Sequence, residues 1–322
     1  MQLTGRQDSS SPEKSTIDRA LLAGASARSA AAAAGPPPVH AAQGLRPVAV
    51  PGWFRAGFRV ASAVAPGAAA RLAQELFFSP PRAAVRGEER AALACGEPFT
   101  LVVDGRRVAG WAWGEGPAVL LVHGWGGHAG QMTPLVEPLV AAGCRAVAID
   151  LPAHGQSAGR VSSLVHFAAA LEHAAALWKP LRGMVAHSFG AAAATYAVFR
   201  GLGVERCVFF APPARFETFW LRFRAGVGVS DEVWERMMRG AESWLDVRFD
   251  GIAPLDLAPR MQVPLLVLHD AGDREMAFGE GAELAGRWPG AVLHRTEGLG
   301  HLRILRDPRC VAEAVRFLGG VE

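Results

Sequence analysis

The stretch GMVAHSFGAAAAT, residues 183–195, decides the reading of this chain. A short run of small and apolar residues ends at Ala186, a serine follows at position 188, and a small-residue segment of helical character begins directly after it. A serine hydroxyl is a poor nucleophile unless a base takes its proton and the backbone holds it exposed, and a tight strand-to-helix turn does the second. Such a turn needs small residues two before and two after the serine, here Ala186 and Gly190. Glycine is the usual residue at the first of these, so Ala186 departs from the pattern by one methyl. On this segment alone, a serine that only caps the helix is an equally good reading. The neighbouring segments have to decide.

Upstream, HGWGG at 123–127 directly follows the apolar run 118–122. Acyl transfer develops negative charge on an oxygen and needs two preorganised backbone donors, one of which normally comes from a loop in this place. The amides of Trp125 and Phe189 are the candidates for the two donors. Downstream, the apolar run 265–268 leads into HDAGDREM at 269–276, and TEGLGHLRIL occupies 296–305. These segments supply an acid and a base in the chain order serine, aspartate, histidine. Asp273 is preferred over Asp270 as the acid because it lies further into its loop, and Asp270 is the fallback. His301, between Gly300 and an apolar helical pattern, is the candidate base. His294 falls inside a strand and reads as a packing or surface residue.

The same alternation extends along most of the chain. Strands are expected over 99–103, 108–113, 118–122, 145–149, 183–186, 207–210, 265–268 and 291–295. The first two alternate about the turn at Asp104 and Gly105, as a hairpin does. The later ones are nearly continuous apolar runs, as in parallel strands buried on both faces. Helical stretches at 131–142, 164–178, 191–200, 279–287 and 308–318 lie between or after them. The fold class is therefore α/β, a doubly wound, mostly parallel sheet. One segment breaks the rhythm: 212–260 carries Phe219, Trp220, Phe223, Trp234 and Met237 among many charges and reads as an inserted helical cap. Trp220 and Trp234 are expected to line the site beneath it, the equal alternative being that the aromatic residues of this segment only pack the cap onto the sheet.

These segments, in this order, resemble the α/β-hydrolase superfamily from about residue 97 to 321. Further agreement comes from DLPAHGQS at 150–157, similar to a loop that follows the fourth strand in many members. The resemblance implies a serine hydrolase in which Ser188 attacks, His301 serves as base and Asp273 orients it, with no bound metal or organic cofactor. Asp150 and His154 are read as structural. His187, also common in the family, is expected to point away from the nucleophile by the strand pleat and is not taken as the base. In some members the acid follows the sixth strand instead, but FFAPPARFE at 209–217 offers no aspartate there. Relatives that open carbon–halogen bonds or epoxides carry aspartate at the position of Ser188. The expected reaction is hydrolysis of a carboxylic ester or thioester through an acyl-enzyme. The same triad would also serve amide or carbon–carbon hydrolysis or acyl transfer, and a non-catalytic binding protein on the same fold is the reading from a different class.

Composition sets limits on partners. The 33 basic and 30 acidic residues are spread along the chain without a dense basic run, so nucleic acid is not an implied partner. A small molecule with an apolar acyl or leaving group is. Cys95, Cys144, Cys207 and Cys310 show no CxxC pair and no zinc-ligand spacing, and read as free thiols in a reducing compartment. The opening MQLTGRQDSSSPEK leaves no room for the apolar core of a signal peptide, so the expected location is the cytoplasm. Residues 1–50, rich in Ala, Ser, Gly and Pro, read as a disordered tail. Over 51–80 the apolar residues recur at helical spacing with a break near Pro66 and Gly67, giving two short amphipathic helices. They are expected to pack on the domain that follows, over 81–322; an interfacial membrane contact through Arg55, Arg59 and Arg71 is the alternative.

Overall fold

In the computed structural model, which describes residues 50–320, eight strands form one sheet in the order β1-β2-β4-β3-β5-β6-β7-β8. They are β1 (Glu97–Val103), β2 (Arg106–Trp113), β3 (Ala118–Val122), β4 (Arg145–Ile149), β5 (Leu181–His187), β6 (Cys207–Phe210), β7 (Leu265–Asp270) and β8 (Val292–Thr296). Helices α1 (Gly52–Val64), α2 (Pro66–Phe78) and α3 (Gly87–Ala94) precede the sheet. α4 (Val136–Ala141), α5 (Leu164–Trp178) and α6 (Phe189–Phe199) connect its strands, and α7 (Glu217–Val227), α8 (Asp231–Leu245) and α9 (Pro254–Leu257) lie between β6 and β7. α10 (Phe278–Arg287), α11 (Gly300–Arg303) and α12 (Pro308–Leu318) complete the fold. The tail expected over 1–50 lies, apart from Val50, outside the described residues.

β1 and β2 form an antiparallel hairpin whose turn residues Asp104 and Gly105 both take positive φ, 49° and 72°. Such a turn matches the right-handed twist of the strands it joins. β2 runs antiparallel to β4, and every later pair is parallel. The continuous apolar runs of β3 to β7 are explained by helices on both faces. Leu120 and Val122 join a core with Phe167, Leu171 and Ala192 on one side. Val119 and Leu121 join Met132, Leu135 and Leu305 on the other, as the two-residue pleat requires. β8 does not follow the expectation of burial on both faces: it is an edge strand paired only with β7, and Val292 and Leu293 are exposed. His294 and Arg295, both exposed, keep that edge polar and discourage pairing with another chain.

Helix boundaries follow their caps. α5 begins after Ser163, whose hydroxyl accepts the His166 amide, and α12 after Asp307, whose carboxylate accepts the amides of Arg309 and Cys310. The helix expected over 131–142 is instead a 3₁₀ turn, Ala129–Leu135, followed by the short α4, with Pro134 inside the turn. All four cysteines are free.

α1 and α2 pack on the β6–β7 insertion: Phe58, Ala69, Ala70 and Ala73 share a core with Phe223, Val227, Val233 and Met237. The insertion is fastened to the base by the buried Glu280 of α10. Its carboxylate accepts the amides of Ala214 at 2.7 Å and Arg215 at 3.0 Å and the Thr218 hydroxyl at 3.1 Å. Removing the carboxylate leaves three donors without it, each costing about 1–3 kcal/mol when buried. Glu280→Ala is expected to lower the unfolding free energy by about 3 kcal/mol, read from the shift of the urea midpoint at unchanged m-value.

Candidate active site

The turn after β5 has the strained geometry that an exposed serine requires. Ser188 takes φ 51° and ψ −126°, outside the regions open to ordinary residues. Its amide donates to Phe210 O at 2.9 Å, and its carbonyl accepts the Ala191 amide at 2.8 Å as α6 begins. Gly190 is required by close approach: a Cβ there would lie 2.4 Å from His123 O. Gly124 is nearly as tight, because a Cβ there would come within 3.1 Å of Ser188 Cβ and 3.2 Å of His187 Nδ1. The two loops thus close over each other with glycine on both sides.

The loop after β3 is stitched to the loop after β4. His154 Nε2 accepts the Gly126 amide at 2.9 Å while its Nδ1 bonds to Pro152 O. His123 Nε2 accepts the Leu151 amide at 3.0 Å. Asp150 accepts the amides of Ala129 and Gln156. These bonds account for Asp150 and His154 as builders of the site. Burial is the leading reason that His154 is lowered to about 4 and that His123 lies well below the ordinary histidine value; the same burial pushes the Asp150 carboxyl up. With Gly126 N given to His154 and Gly127 N to Gly124 O, the loop's amides at 126 and 127 are already engaged. Trp125 itself is half-buried, stacked on Phe167 and edge-on to Phe189.

The loops after β7 and β8 bring Asp273 to His301. His301 Nδ1 lies 2.7 Å from Asp273 Oδ2, and the other carboxylate oxygen accepts the amides of Glu275 and Met276. Burial alone would raise this carboxyl, but His269, His301 and the Met276 amide outweigh it and hold it well below the usual range. Asp270 is engaged elsewhere: it accepts the amides of Gly272 and Leu299 and the Thr296 hydroxyl, tying the β7 and β8 loops together. His269 went unremarked in the sequence. It is buried, donates from Nε2 to Met276 O at 3.0 Å and stands 3.6 Å from Asp273 Oδ2, so it braces the turn that presents the acid.

His187 corrects the expectation drawn from the pleat. His187 is among the residues lining the cavity that holds Ser188, and its ring sits 4.6 Å from the His301 ring, with Nε2 donating to His301 O at 3.0 Å. The pleat rule fails because Ser188 has already left the strand at positive φ. Burial, reinforced by the neighbouring His301, lowers His187 to about 3. It holds the main chain of His301 and stays neutral.

Ser188, His301, Trp125 and Phe189 all line one cavity of about 720 Å³. Its walls are mostly apolar and come from α1 and α2 (Trp53, Phe54, Leu76, Phe77), from α7 (Phe219, Arg222, Phe223, Val227) and from Met276 and Leu302. The wall positions on α7 repeat at helical spacing along one face. Trp220 and Trp234, expected at the wall, are not on it. They pack against each other inside the insertion at 6.0 Å, with Trp220 also against Phe249 and Trp234 against Phe77. Among the described residues no cluster of three potential ligands could hold a metal ion, and no helix is long and apolar enough to cross a membrane.

The chain belongs to the alpha/beta hydrolase family, whose model matches residues 119–314. No curated protein matches it. Among solved structures, a membrane phospholipase A described as a bacterial virulence factor is 20% identical, covering 84% of this chain and 98% of its own, with a TM-score of 0.56. An esterase from Rhodococcus sp. ECU1013 is 19% identical over 71% of this chain and all of its own, at 0.55. A meta-cleavage product hydrolase from Pseudomonas fluorescens IP01 is 18% identical over 70% of this chain and 98% of its own, at 0.54. At these identities the likeness is one of fold.

The buried histidines predict how stability depends on pH. Their native values lie below that of an unfolded histidine, about 6.5. Above that pH they contribute no change; below it the unfolded chain takes up protons that the native state refuses, and stability falls until the native values near 4 for His154 and 3 for His187 are reached. The depressed carboxyls of Asp273 and Asp270 extend the loss at still lower pH, with Asp150 acting in the opposite sense. Unfolding free energies from urea titrations should therefore drop between about pH 6.5 and pH 4, by up to about 1.4 kcal/mol per pH unit for each histidine. A flat profile across that window contradicts the neutral assignment.

Proposed function

We propose that this chain is a serine hydrolase that cleaves a carboxylic ester or thioester through an acyl-enzyme. The reading rests on one observation above the rest: His301 bonds to a buried, ionised Asp273 at 2.7 Å while Ser188, at a strained turn, lines the same apolar cavity. Asp273 fixes the proton on His301 Nδ1 and leaves Nε2 free to take the Ser188 proton. Ser188 Oγ then attacks the acyl carbon, and the amides of Trp125 and Phe189 receive the developing oxyanion. Phe189 suits this role as the first residue of α6, where an amide has no helical partner and the helix dipole favours negative charge. His301 returns the proton to the leaving alcohol or thiol and afterwards activates water to release the acid.

The cavity volume falls within the usual range for small-molecule sites, about 300–1,000 Å³, and its apolar walls support an apolar acyl or leaving group. The four free cysteines support a reducing location, the cytoplasm. The segments α1, α2 and α7 act as a lid that sets which substrates enter.

Ser188→Ala and His301→Ala should each lower kcat by on the order of 10⁴ to 10⁶, with the double variant little worse than either. Asp273→Asn should cost about 10² to 10⁴, because the imidazole remains but its tautomer is no longer held. A fluorophosphonate probe should label wild type and not Ser188→Ala; labelling of the alanine variant, or its full activity, would end the serine reading. Phe219→Ala and Phe223→Ala should shift the preferred chain length among p-nitrophenyl esters, whereas Trp234→Ala should leave it in place. The reverse pattern would put the selectivity surface elsewhere.

A further inference from the structure

α1 is apolar on the side that packs and also on the side that does not. Phe54 and Phe58 turn towards α7 and α8, while Trp53, Val60 and Val64 form a second stripe, 77%, 65% and 80% exposed. Leu72 and Leu76 add two more exposed side chains on α2. Single exposed apolar residues are ordinary, but a stripe along one helix continued onto the next is a patch that marks an interaction surface. Trp53 and Leu76 also line the cavity, and Leu302, exposed beside His301, lines it with them. The patch therefore runs into the mouth of the site.

The charges carried by these two helices are mostly basic. α1 and α2 carry Arg55, Arg59 and Arg71 against a single acid, Glu75, which pairs with Arg160. The guanidinium groups of Arg55 and Arg59 lie beside Gly228 at the end of α7. An apolar helix face bordered by arginines is the chemistry that seats a helix in the headgroup layer of an anionic membrane. We propose that α1 and α2 dock on an anionic lipid surface, with the mouth of the cavity turned towards it. A second copy or another segment of this chain seated there would close the mouth lined by Trp53 and Leu76. A lipid surface instead supplies it. The supply of substrate from lipid rests on the hydrolase reading above, whereas the binding does not.

The test uses the full chain carrying Ser188→Ala, so that binding is measured without turnover, sedimented with vesicles of phosphatidylcholine alone or mixed with phosphatidylglycerol. Binding should be at least about tenfold stronger to the anionic vesicles and weaken at high salt. Adding Val60→Asp and Val64→Asp, which are exposed and off the cavity wall, should lower it by at least about tenfold at unchanged Tm. Failure to bind either vesicle overturns the proposal, as does binding indifferent to lipid charge or to the paired valine change. Self-association that the valine change abolishes, without vesicle binding, assigns the patch to a second copy and also overturns it. Vesicle binding by a chain that hydrolyses no ester would count against the hydrolase reading and leave the docking surface standing.

Discussion

The site depends on a backbone constraint at one residue. An L-residue at φ 51° and ψ −126° is strained, typically by about 1–3 kcal/mol, and Ser188 stays there only because the surroundings overdetermine it. Its amide is bound to β6, its carbonyl starts α6, and Gly190 lies where no side chain could pass His123 O. Relaxing the turn would cost these contacts and let the hydroxyl fall back into the helix cap that the sequence alone also allows. The strain is therefore held by packing between three neighbouring strands, which is the part of the molecule least able to yield.

Around that turn, charge has been replaced by neutral donors and acceptors. His123, His154 and His187 are all buried and held neutral, and each joins the main chain of one loop to another or to itself. Among the described residues, the pair Asp273 and His301 combines a depressed carboxylate with a histidine on the cavity wall. The ionised carboxylate of Asp273, braced by amides and by His269, sets an electrostatic field of fixed direction at His301.

The central strands were legible because burial on both faces writes itself as an unbroken apolar run, and α5 and α12 because their caps are local. What escaped was non-local. α3 is only eight residues long, and its local signal, Glu89 accepting the Arg86 amide, belongs to a carboxylate that is also buried against Arg306, far along the chain. β8 reads like its neighbours, yet whether a strand has one partner or two is a property of the sheet. The proposed order Ser188, Asp273, His301 came from loops after apolar runs, and in the fold Asp273 meets His301 while Ser188 and His301 line one cavity. The role of His187 was not, because the pleat argument assumes an extended backbone that ends one residue too soon. On α7 the aromatic content was visible and its facing was not: Phe219 reaches the cavity, and Trp220, one position on, turns to Trp234.

The helices over the cavity share a small core of their own, centred on Phe58, Ala73, Val233 and Met237, apart from the two cores that clamp the sheet. Cooperative units of different size open at different free energies. Such a unit is expected to loosen under warming or mild denaturant before the strained turn below, so that, on the proposed function, discrimination among molecules of different shape would be lost at a lower temperature than the fold.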